Sequence, residues 1–161
     1  MKKLRIVFER DTGFMAYVIR WLTRSKINHV AIVYESDDWQ AEWVTEAAVK
    51  GVRALPAGKR KWERVFWFKY DASPHIRAAQ LYLGQNYDFT GFFLFGWFLL
   101  LGKILKAKVT RPGVSTKGQF CSEYIARILQ QMMPIADPQW TTPEELLDLC
   151  ETRPDLFESV L

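Results

Sequence analysis

The order of local patterns along this chain constrains its fold more than any single motif does. Short β-prone stretches fill the first 70 residues, at about 4–8, 27–34, 43–48, 51–55 and 64–70. Helical spacing takes over afterwards, near 74–83, 91–105, 121–133 and 143–150, with one earlier short helix expected over 14–22. Strands first and helices later is the order of an α+β fold, since alternating units would interleave the two. The stretch 27–34 is apolar at both parities, as a strand covered on both faces requires. A chain of 161 residues with 49% hydrophobic residues and no repeat or low-complexity run fits one domain over 1–161. A domain of that length buries roughly 68–70% of its unfolded surface.

Helix starts are written locally. Ser73 and Pro74 read as cap and first position of the helix over 74–83. Thr142, Pro143 and Glu145 suit a capping box that opens the last helix. In 119–129 the start carries chemistry as well. From Cys121, the apolar residues Tyr124, Ile125, Ile128, Leu129 and Met132 recur on one helical face until Pro134. The cysteine therefore opens a core-facing helix, where unsatisfied amides and the helix dipole stabilise a thiolate. Two readings of Cys121 stand side by side: a small buried hydrophobe, and a nucleophile that needs a base.

The chain has two histidines. His29 lies near the start of the 27–34 strand, where a ring can reach a cleft. His75 follows Ser73 and Pro74 and is expected to be exposed and incidental. Glu46, in a β-prone stretch that turns at Lys50 and Gly51, is either a solvated strand residue or the carboxylate partner of His29. Adjacent antiparallel strands would bring the two together. A carboxylate on one imidazole nitrogen fixes the tautomer and leaves the other nitrogen for a thiol.

These segments resemble a known family. Leu83-Gly84-Gln85-Asn86-Tyr87-Asp88-Phe89, followed after a gap by Phe120-Cys121-Ser122-Glu123-Tyr124, is similar to the core of the NlpC-type papain-like cysteine hydrolases, with a Gly-x-x-Tyr segment, a loop and a Cys-Ser pair opening a helix. Here His29, in Asn28-His29-Val30-Ala31-Ile32-Val33, and Glu46 precede the cysteine. That order resembles the circularly permuted branch, which includes the YiiX-like proteins and, more distantly, the lecithin retinol acyltransferase-like enzymes. Phe120 and Glu123 stand where ordinary members often carry aspartate and glycine, which favours the permuted branch and weakens any inference to peptidoglycan.

The resemblance implies a papain-like fold, a central antiparallel sheet packed by the Cys121 helix. It implies Cys121 as nucleophile, His29 as base, Glu46 as third member and Tyr87 as an active-site tyrosine near the oxyanion. The activity it implies is hydrolysis of an amide or ester through a thioester acyl-enzyme, on a small-molecule, peptide or lipid acyl substrate. The alternatives are a lipid-directed thiol acyltransferase or lipase at a membrane surface, and a non-catalytic module that uses the cleft for binding.

Composition narrows the setting. No Cys/His cluster has metal-ligand spacing and no Gly-rich phosphate loop occurs, so neither cofactor nor metal is expected. Two cysteines make no disulfide framework, and the first residues lack a signal peptide's apolar region, so a reducing, cytoplasmic setting is expected, with peripheral membrane contact an option. The uncharged run 89–102 is too short to span a bilayer, which takes about 20 apolar residues. It is either a buried helix or, with Lys103, Lys106, Lys108 and Arg111 after it, a membrane contact over 89–111. The basic run 59–64 reads as a solvated turn, and no nucleic acid partner is expected despite the net charge of +4.

Overall fold

In a computed structural model of the chain, the described residues are 2–23, 25–35, 41–105 and 118–160. Six strands form one open antiparallel sheet: β1 (Leu4–Glu9), β2 (His29–Glu35), β3 (Glu42–Ala48), β4 (Gly51–Pro56), β5 (Arg64–Phe68) and β6 (Phe157–Ser159), in the order β4-β3-β2-β1-β5-β6. The helices are α1 (Phe14–Thr23), α2 (Ser73–Leu81), α3 (Phe89–Leu105), α4 (Cys121–Leu129) and α5 (Pro143–Thr152). The fold is therefore α+β.

The β3–β4 hairpin turns through Val49 and Lys50, and Gly51 leaves the turn at φ 97°, a left-handed value that glycine adopts without strain. A side chain there would also collide with the carbonyl of Gln85, which accepts from the amide of Val52. The glycine thus lets the loop before α3 close against the sheet edge.

Each parity of the strands has its own core. Leu4, Ile6, Phe8, Val30 and Ile32 belong to the large cluster beneath α2, α4 and α5, while Val7, Ala31, Val33, Val44 and Val65 form a second cluster on the opposite face, joined by Trp62. This is why 27–34 is apolar at both parities. Helix α4 packs against β2 and β3 with Tyr124, Ile125, Ile128 and Leu129 fully buried. Burial of each such side chain stabilises by about 1.5–3 kcal/mol. The Tyr124 hydroxyl shares a 2.5 Å hydrogen bond with Thr45 Oγ1 and fixes the helix along β3.

Several expectations shift. His75 is not exposed: it is 7% accessible, its ring meets Phe68 edge-on at 5.3 Å, and Nδ1 has no hydrogen-bond partner among the described residues. The helix that carries it begins at Ser73, with Ala72 as cap, because Ser73 Oγ bonds the Asp71 carboxylate instead of the helix amides. Helix α3 begins at Phe89, two residues before the expected start, because the Asp88 carboxylate accepts from the amide of Gly91 and caps it. Of the open readings for 89–102, full burial does not hold: Phe92 is buried, and Phe89, Phe93 and Trp97 are exposed. Lys103 lies in the last turns of that helix, while Lys106, Lys108 and Arg111 fall outside the described residues. The 3-10 helix Pro138–Trp140 and strand β6 had no counterpart in the sequence reading. The Thr142–Glu145 capping box is present in both directions.

Candidate active site

A cleft of about 510 Å³ lies where β2, β3 and β4 meet the start of α4 and one side of α1, and Cys121, His29, Glu46 and Tyr87 all line it. The four residues singled out in the sequence come from four separate elements and converge on one hollow. Cys121 is the first residue of α4, and its sulfur lies 4.0 Å from the carbonyl oxygen of Asn28. The cap residue, Phe120, is extended and has no side-chain oxygen to offer the first-turn amides. The Phe120 amide instead donates to the Glu123 carboxylate, which Arg127 also grips at 2.8 Å. The departures from the family pattern at Phe120 and Glu123 thus have a local use, as half of a capping arrangement that sets the helix start.

His29 stands at the head of β2, directly opposite Glu9 on β1. Its Nε2 lies 2.9 Å from Glu46 Oε2, which as an ionised carboxylate can only accept. The remaining nitrogen, Nδ1, is left free of Glu46, and Cys121 lines the same cleft near enough to influence the ring. Burial works against a charge on the ring, but the neighbouring Cys121 and the Glu46 carboxylate outweigh it and push the imidazole up to about 10.

Glu46 is 2% exposed, so its charge needs compensation, and it has more than His29 supplies. Arg53 donates to Oε1 through Nε and NH2 at 3.1 and 2.8 Å, and Arg60 spans the carboxylate at 2.8 and 3.2 Å. Burial opposes ionisation here too, yet the bonds from His29, Arg60 and Arg53 hold this carboxyl well below the usual range. Glu46 is therefore a fixed anion. Neighbouring Glu9 shifts the other way, raised by burial and only partly offset by His29 and Arg60.

Tyr87 reaches the cleft through a short parallel bridge to Gln119, two residues before the cysteine. Gly118 permits that approach, since a Cβ there would lie 2.7 Å from the Asn86 carbonyl oxygen. Burial, with Cys121 and Asp88 as neighbours, pushes the Tyr87 phenol far up, so its hydroxyl stays a proton donor.

Glu9, His29 and Glu46 each offer one ligand atom, and the three atoms lie within 4.8 Å of one another. Two guanidinium groups already occupy Glu46, and Arg60 lies 3.9 Å from Glu9, so the set is balanced as an ion-pair network and repels a further cation. Arg53 and Arg60 were missed in the sequence. The first was readable, because a two-residue turn at 49–50 puts residue 53 opposite 46. Arg60 was taken for part of a solvated turn; it folds inward from a loop, with no periodicity to reveal it. The sequence matches no family model and no curated protein.

Proposed function

We propose that the chain is a cysteine hydrolase of the permuted NlpC-type papain-like class, cleaving an amide or ester through a thioester acyl-enzyme. The observation that carries this reading is His29 held by Glu46 through Nε2, with Cys121 on the wall of the same open cleft. With the thiol proton already resting on the charged His29 ring, the Cys121 sulfur attacks the acyl carbon and the carbonyl electrons move onto its oxygen. His29 then protonates the leaving amine or alcohol as its bond to the acyl carbon breaks. Water, deprotonated by His29, attacks the thioester, releases the acid and restores the thiol. The Cys121 amide at the helix start and the neutral Tyr87 hydroxyl are the donors available to the oxyanion. Glu46 keeps the ring in the right tautomer and stabilises its charged form.

A lipid acyl donor is the favoured substrate variant on one further observation, the exposed aromatics of α1, which lines the cleft, and of α3, which adjoins α1. The alternative of a binding module without chemistry leaves the Glu46-held imidazole without a purpose. The test is turnover of a panel of short-chain esters, long-chain esters in micelles and acyl amides by wild type and Cys121→Ala. The proposal expects turnover of at least one class and at least a roughly thousandfold loss in the variant. Equal turnover by both proteins, or labelling of neither by thiol-directed acyl probes, would sink it.

A further inference from the structure

We propose that the joint outer face of α1 and α3 docks this protein on an anionic bilayer surface. Helix α3 has 17 residues and no acid, and is about 25 Å long. Such a helix would ordinarily be buried, but Phe93 and Trp97, one turn apart, are 64% and 56% exposed, and Ile104 continues the same face. Helix α1 packs beside it and adds Tyr17 and Trp21, again one turn apart, at 61% and 49% exposure. Isolated exposed apolar residues need no explanation. Large exposed rings on two adjoining helices do, because each is kept in water at a cost that docking removes.

Charge selects the occupant. Residues 12–34 and 89–117 contain no Asp or Glu, while the first stretch carries Arg24 and Lys26, besides Arg20, which is held by Asn28 and the Asp11 carbonyl, and the second opens its basic run at Lys103. Lys26, just past α1, is exposed. Aromatic rings settle at headgroup depth and cations meet anionic lipid, the pairing an interfacial helix uses. Among the described residues no helix is long and apolar enough to cross a membrane, so α3 would lie in the plane of the surface. Helix α1 is common to both features: Ala16 and Ile19 line the cleft while Tyr17 and Trp21 face outward. Docking thereby sets the cleft beside lipid, but does not itself depend on Cys121 chemistry.

The test is co-sedimentation of the full chain with vesicles of phosphatidylcholine alone or mixed with phosphatidylglycerol. Binding to the mixed vesicles is expected, weaker on neutral ones and weakened by salt, with at least about a tenfold loss in Phe93→Ser/Trp97→Ser and none in Cys121→Ala. Should the serine variant misfold, the conservative Trp21→Phe/Trp97→Phe variant decides the matter. Brominated lipid should quench tryptophan emission in the wild type and largely fail to do so in this variant. Absence of binding by the wild type, or quenching unchanged in the phenylalanine variant, overturns the proposal. A concentration-dependent dimer that Phe93→Ser/Trp97→Ser dissolves, without vesicle binding, overturns it in favour of a second copy of the chain.

Discussion

The molecule contains the same two reactive residue types in two regions, and they differ in everything but burial. In the cleft, His29 sits between Glu46 and Cys121 and is pushed up to about 10. In the packed region where α2 and α5 meet β5 and β6, His75 rests on Phe68, its Nδ1 has no partner among the described residues, and burial pushes it down. The thiols divide the same way. Cys121 opens a helix and lines the cleft, whereas Cys150 is enclosed late in α5, and burial drives its pKa far up. Burial alone makes both residue types inert. On the proposed reading, a buried, salt-linked carboxylate and a helix start are what set the cleft pair apart.

The sharpest way to break this contrast is to exchange one thiol at a time. Cys121→Ala should lower acyl-probe labelling by at least about a thousandfold, while Cys150→Ser leaves it within about twofold, read by intact-protein mass spectrometry. Next in size is the anchor of the imidazole. Glu46→Ala strands two arginines and should cost roughly 3 kcal/mol in urea unfolding, at the low end for a buried pair because Arg53 and Arg60 keep some water. It should also slow Cys121 labelling. The corresponding cut in the packed region, His75→Phe, should leave labelling unchanged.

The two histidines also predict opposite pH dependences. A folded pKa raised above the unfolded value of about 6.5 gives His29 a stabilising contribution that is complete below pH 6.5 and lost as pH climbs toward 10. His75, lowered by burial, contributes its share above about pH 6.5 and loses it as pH falls. Unfolding free energies of His29→Gln and His75→Phe, subtracted from wild type across that range, should slope in opposite directions. Parallel slopes would erase the distinction. The smallest effect is local to α5: Thr142→Ala removes the capping box and should cost about 1 kcal/mol with no change in labelling.

What could be read from the sequence follows the range of the forces involved. Periodicity exposed β1 to β5 and α4, because burial on a fixed face repeats every two residues in a strand and every three or four in a helix. The Thr142–Glu145 box was equally legible, being complete within four residues. Strand β6 was hidden, because three residues, Phe157 among them, become a strand only by pairing with β5. His75 was misjudged because its burial comes from Phe68, an element away. In the cleft, residue types and their order pointed to Cys121, His29, Glu46 and Tyr87. The charges that fix Glu46 were not foreseen, since Arg60 arrives from an irregular loop.

The central claim is that His29 and Cys121 act as one unit. It is tested most directly by the pH dependence of Cys121 alkylation in a Cys150→Ser background, with and without His29→Ala. The account predicts fast alkylation already at about pH 6 that collapses once the imidazole is removed. Slow alkylation at that pH, unchanged by His29→Ala, would contradict it and return Cys121 to the role of a packed core residue.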